Sequence, residues 1–156
     1  MNVSEYIDMK GRLTLQKRNA ANEILEEIAA NNNIVLRGRD LVAKLFINEK
    51  IDPISHVAVG TGTDPVDPKN DTKLRSQLFC KPITPVNPAQ NLTNTPDDRI
   101  KVTITAELNF DEANGALTEA GLFNALTNGV MYNRVVFPAI NKTSDFKLTL
   151  IWEILF

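Results

Sequence analysis

Residues 100–110 read Ile-Lys-Val-Thr-Ile-Thr-Ala-Glu-Leu-Asn-Phe. Apolar side chains stand at 100, 102, 104, 106, 108 and 110, and polar ones at every position between. In a strand successive side chains point to opposite faces, so this period-two alternation describes a strand buried on one face and wet on the other. The last eleven residues repeat the pattern: Phe146, Leu148, Leu150, Trp152, Ile154 and Phe156 alternate with Lys147, Thr149, Ile151, Glu153 and Leu155. There the second face also turns apolar, at Ile151 and Leu155. The end of this strand is therefore expected to be covered on both sides, by helices or by another subunit.

Working outward from these runs, residues 111–115 supply a turn, and residues 117–123 look extended. A Thr127-Asn128-Gly129 turn joins them to a further strand over 130–137, so hairpins are the expected connections. Upstream, residues 54–60 alternate and run into Gly60-Thr61-Gly62, a strand leaving into a loop. Asp, Asn and Pro fill that loop over 63–72, a strand is expected from Leu78 towards Val86, and residues 87–98 form a polar excursion of the kind that sits at a sheet edge. The N-terminal third reads differently. Leu13, Leu15, Ala20, Ile24, Leu25 and Ile28 recur at roughly helical spacing, and Asn31, Asn32 and Asn33 stop the run. A second helix is expected from Asp40, as its cap, with Leu41, Val42, Leu45 and Phe46 on one side. The expected fold is α+β but mainly β, with N-terminal helices followed by an antiparallel β-sandwich of about five to seven strands. The division is a helical arm over 1–50 and a sandwich domain over 51–156.

At 156 residues, 43% hydrophobic and 23% charged, the chain has an ordinary globular composition. Its formal net charge of −2 comes with scattered Lys and Arg, so the basic footprint of a nucleic-acid partner is missing. No apolar run is long enough to predict a membrane span. The single cysteine, Cys80, and the lack of a charged leader predict synthesis in a reducing cytoplasm.

Candidate chemistry is sparse. Gly60-x-Gly62 follows a strand, but Pro65 and Pro68 stand where a phosphate-binding helix would begin, so a strand-end turn is the favoured reading. Asp64, Asp67 and Asp71 with Asn70 match no calcium-loop spacing and read as turn formers. His56 and Cys80 could act as a pair only if the fold joins them. Ser4, Ser55, Ser76 and Ser144 lack a nucleophile-elbow motif. Trp152, Tyr132 and Phe137 could form a sugar platform, yet their places in alternating strands favour core packing. The expectation is no enzyme, no metal and no cofactor.

Read in order, the β region contains Val57-Ala58-Val59-Gly60-Thr61-Gly62, Asp71-Thr72-Lys73-Leu74, Glu119-Ala120-Gly121-Leu122-Phe123, a segment from Gly129 to Phe137, and Ile140-Asn141-Lys142-Thr143 before the last strand. This succession over residues 54–156 resembles the small β-domain of tailed-bacteriophage tail proteins, of the tail-collar fibre and baseplate-associated kind also found in contractile injection systems. Gln77 departs from the pattern, where such domains tend to carry glutamate, and the N-terminal third has no counterpart in it. The resemblance implies a virion structural protein of the tail, an adaptor, collar or baseplate piece made in the host cytoplasm. Its partners would be itself, as a homo-oligomer, and other tail proteins. Head-decoration or neck protein and host-glycan binding module are the alternatives. Gly60, Gly62, Glu119 and Gly121 are then turn or bulge residues, and the Glu119 carboxylate is placed to accept backbone or Arg134 hydrogen bonds that hold a bend. Leu13, Ile24, Ile28, Ile151, Leu155 and Phe156 are the expected interface residues.

Overall fold

The computed structural model describes residues 9–156. Its strands, in chain order, are β1 (Lys10–Arg18), β2 (Ile24–Asn31), β3 (Asn33–Ile34), β4 (His56–Gly60), β5 (Gln77–Pro82), β6 (Leu92–Asn94), β7 (Ile100–Leu108), β8 (Gly115–Phe123), β9 (Asn133–Lys142) and β10 (Lys147–Leu155). Two helices, α1 (Leu36–Phe46) and the single turn α2 (Pro88–Asn91), interrupt them. The alternating run of 100–110 is β7, hydrogen-bonded antiparallel to β10, so the two strongest patterns in the sequence lie side by side. One sheet has the order β2-β1-β10-β7-β6 and the other β3-β9-β8-β4-β5, and every pairing is antiparallel.

The α+β expectation with N-terminal helices is corrected here. Residues 12–30 form the β1–β2 hairpin, paired from Arg12 opposite Asn31 to Arg18 opposite Ile24, and β1 is hydrogen-bonded to β10 along its whole length. The charges that would decorate a helix are cross-strand partners instead: Lys17 Nζ lies 2.5 Å from Glu26, and Gln16 donates to Glu27 at 2.7 Å. Asn22, at φ 63°, turns the chain, and Glu23 N–H donates to Asn19 Oδ1 at 2.9 Å. Leu13 and Leu15, two residues apart, are both buried, which is a strand's period. Of the helical arm proposed over 1–50, residues 1–8, with Ser4, lie outside the described residues. The second helix starts at Leu36, not at Asp40. Val35 precedes it without a side-chain cap, and Asp40 sits a turn inside, 2.8 Å from Lys44.

Both side edges of the sandwich are crossed by chain. Asn32 N–H bonds Gly11 O at 3.0 Å between β2 in one sheet and β3 in the other. On the far side, just past β5, Thr84 N–H bonds Thr105 O of β7 at 2.8 Å. Such corners remove open sheet edge. Between the sheets lie Leu13, Leu15, Leu108, Leu117, Leu122, Leu148, Leu150 and Trp152, all 1% exposed or less. Each contributes about 1.5–3 kcal/mol by burial. α1 plugs one end, with Leu41 against Ile104, Leu122, Tyr132 and Ile154. A second, small cluster of Val35, Ala58, Leu74, Phe123 and Met131 forms beneath the 61–76 loop. Among the described residues no helix is long and apolar enough to cross a membrane.

Candidate functional site

Four segments of the β region meet at one buried carboxylate. Glu119, fully buried on β8, accepts from Gly62 N–H at 3.0 Å, Ser76 N–H at 2.7 Å, Arg75 N–H at 3.0 Å and Arg134 Nε at 2.8 Å. Arg134, on the neighbouring strand β9 and equally buried, also reaches Asp71 at 3.2 Å and Pro65 O at 3.3 Å. Asp71 in turn holds Arg75 at 2.7 Å and Asp67 N–H at 2.9 Å. The 61–76 loop is thus tied down at both ends. Burial alone would raise the Glu119 pKa, but hydrogen bonds from Ser76, Arg134, Arg75 and Gly62 outweigh it and hold the carboxyl below the ordinary glutamate value. An anion with four donors in place is a poor proton acceptor, so this cluster is built to fix backbone.

The two glycines of the Gly60-x-Gly62 turn are there for room. A Cβ on Gly60 would stand 2.3 Å from Ser76 O, and one on Gly62 would stand 2.6 Å from a Glu119 carboxylate oxygen. At Gly121 the crowding partner is Asn133 O, at 2.6 Å. Between Leu117 and Glu119 the pairing partner moves from Ile140 to Val136, so the extra residues are those at 137–139 of β9, and between Val59 and Gly60 it moves from Phe79 to Gln77, so the extra residue is Leu78 of β5; Glu119 and Gly60 pair just past these bulges, and Gly121 lies beyond.

Other candidates do not assemble into a reactive centre. His56 Nδ1 is 2.8 Å from Ser55 Oγ, and Cys80 stands opposite Ala58 on β5 with its thiol pushed up by burial, so it is a weaker nucleophile. Cys80 lines a shallow depression of about 320 Å³ with Thr72, Lys73, Gln77 and the 125–129 turn; no carboxylate or imidazole is in that lining. Asp67 is a turn residue, held below the ordinary aspartate value first by the Asn70 side chain and then by the Asn70 and Lys69 N–H groups. Among the described residues no three His, Cys, Asp or Glu side chains gather as metal ligands. Trp152, Tyr132 and Phe137 are 0%, 2% and 4% exposed, so they present no sugar platform.

The surface has a different character near α1. Leu41, Val42 and Leu45 of the helix face Val102, Ile154 and Phe156 across an apolar groove of about 160 Å³, floored by Leu122 and Tyr132. At its rim Phe156 is 37% exposed and Leu45 40%, and where α1 ends Phe46 and Ile47 are 90% and 69% accessible. On the strand side Leu92, 52% exposed, and Ile100, 40% exposed, continue the apolar surface, because Ile100 and Phe156 exchange backbone hydrogen bonds and Leu92 stands opposite Val102. Of the expected interface residues, Phe156 belongs to this rim. Leu13 lies in the core beside Trp152, where no neighbouring molecule can reach it. Ile24 is half exposed at the hairpin tip, Ile28 packs partly on the core, and Ile151 and Leu155 are partly buried in β10. The sequence reading groups Phe46 with Leu41, Val42 and Leu45 on one side of a helix and leaves Ile47 outside the pattern, so it marks neither as exposed surface.

Lys142, 2% exposed at the end of β9, was also missed as a feature in its own right. Burial pulls its ammonium below the ordinary lysine value, against the raising effect of Asp111 and Glu112. The signal available was a lysine two positions after Ile140, in an inward place of the alternation.

In comparisons with protein families, curated proteins and solved structures, the chain matches none.

Proposed function

We propose that this chain is an assembly subunit without catalytic activity, a structural component of a tailed-bacteriophage tail that works by docking on neighbouring proteins. The observation that carries the docking part is the apolar groove beside α1, lined by Leu41, Val42, Leu45, Val102 and Phe156, with Leu92 and Ile100 exposed on the adjoining strands and Phe46 and Ile47 exposed where α1 ends. Contiguous greasy surface of this kind costs solubility and is retained where a partner covers it. The tail part rests on the ordered motifs. The convergence of four of them on the Glu119 clamp supports reading them as the framework of one domain, because separated segments there jointly fix one loop.

Mass spectrometry of purified virus or injection particles from the source that encodes the chain tests this reading, together with gold labelling of those particles. The protein is expected in the particle, with label on the tail. Its absence from particles would reject a virion role, and label on the head would replace the tail assignment with head decoration.

A further inference from the structure

The turn joining β7 to β8 closes around an amine. Lys142 Nζ donates to Asn109 O at 2.9 Å, Phe110 O at 3.0 Å, Thr143 O at 2.9 Å and Asn114 Oδ1 at 3.1 Å. All four acceptors are neutral oxygens, so a buried ammonium is solvated by carbonyls with no carboxylate in contact. The fourth acceptor differs from the others, because Asn114 is followed by Gly115. Glycine has no side chain to shield its backbone nitrogen from the preceding amide. Asn114 is itself exposed, so water reaches it, and the residue before it, Ala113, is held in the left-handed region at φ 55°.

We propose that the Asn114–Gly115 bond is a self-deamidation site promoted by Lys142. The Gly115 nitrogen attacks Asn114 Cγ and gives its proton to solvent base. Lys142, already hydrogen-bonded to Oδ1, stabilises the oxyanion that develops there. The bond from Cγ to the side-chain nitrogen then breaks, ammonia leaves with a proton from water, and a succinimide remains. Water opens that ring to aspartate or isoaspartate. The balance is one amide and one water converted to one carboxylic acid and one ammonia, with no change of oxidation state. The carboxylate formed beside Nζ gives the buried ammonium a counter-ion, which drives the change forward. This inference does not rest on the assembly reading.

The test is peptide mapping of the folded full chain, incubated at neutral pH, against a synthetic peptide of the same 109–118 segment. Conversion at Asn114 is expected on the order of a hundredfold faster in the folded chain, the modest end of what a positioned proton donor contributes. Hydroxylamine should cleave the folded chain after residue 114 by trapping the succinimide. Lys142→Met should bring the rate down to that of the peptide without altering conversion at Asn128-Gly129, an exposed turn that serves as an internal reference. Because Lys142→Met could unfold the turn, Asn114→Asp gives a second readout: its thermal midpoint should exceed that of the parent chain. The proposal is overturned if Asn114 stays an amide while Asn128 converts, or if Asn114→Asp lowers the midpoint. It is equally overturned if ammonia is lost to leave a hydroxylamine-resistant link between Asn114 and Lys142.

Discussion

A single carboxylate, Glu119, organises more of this molecule's loop structure than any other side chain described above. Its two oxygens collect four donors, three of them backbone N–H groups from a loop more than forty positions away in sequence. Glu119→Gln removes the charge opposite Arg134 and turns an amide NH₂ towards N–H donors. Losing one member of a buried pair costs about 3–5 kcal/mol, so thermal unfolding is expected roughly 10 °C lower. A Tm within a degree or two of the parent would show that the clamp is dispensable. The pH dependence follows from the sign of the shift. The folded-state pKa of Glu119 is depressed, so its stabilisation is complete above the unfolded value of about 4.3 and is lost as pH falls through the lower folded value. The parent chain should therefore lose stability in that acid range more steeply than Glu119→Gln, as measured by urea unfolding at a series of pH values. Parallel acid limbs would exclude the contribution.

At the scale of elements, the N-terminal hairpin is where local propensity and tertiary pairing disagree. Ala20, Ala21, Leu13, Leu15, Glu26 and Glu27 are acceptable in a helix, and Leu13 and Ile24 would share one helix face three turns apart. What decides against the helix is β10, whose apolar side chains lack a neighbour on one side until β1 pairs with it. The two arrangements differ measurably. In the hairpin Leu13 is fully buried and Ile24 is half exposed. Leu13→Ala is expected to cost about 2–5 kcal/mol, and Ile24→Ala no more than about 0.5 kcal/mol, by chemical denaturation. Similar costs at both positions would favour the helical stripe. The hydrophobic runs of β7 and β10 were legible because a one-sided strand writes its burial into alternate residues, whereas β2 is exposed along most of its length and writes almost nothing.

For the whole molecule, the chain crosses between the sheets at both sides and α1 plugs one end, which leaves the apolar groove beside α1 as a surface for a partner to cover. Self-association through it predicts a concentration-dependent mass in analytical ultracentrifugation. Phe46→Asp should weaken that association at least about tenfold, on the order of what one lost interface anchor contributes. Stability should change by no more than about 0.5 kcal/mol, since Phe46 is 90% exposed. A parent chain that stays monomeric at high concentration, and whose sedimentation Phe46→Asp leaves unchanged, would remove self-association while leaving docking on other proteins to the particle experiment.

By itself the sequence determined that two long one-sided strands, 100–108 and 147–155, anchor an antiparallel β protein, because their period of two cannot be satisfied by a helix without exposing half the apolar side chains. It also pointed to Glu119 with Arg134 as partners across a bend. Tertiary structure alone decided the rest: that β1 rather than a helix completes the sheet, that the loop amides of Gly62, Arg75 and Ser76 converge on Glu119, that Leu13 is core while Phe46 is surface, and that Lys142 closes on Asn114. Each of these depends on contacts between residues distant in the chain. Local propensity is worth tenths of a kcal/mol per residue, and burial or pairing of one side chain is worth one or more, so the distant contacts prevail.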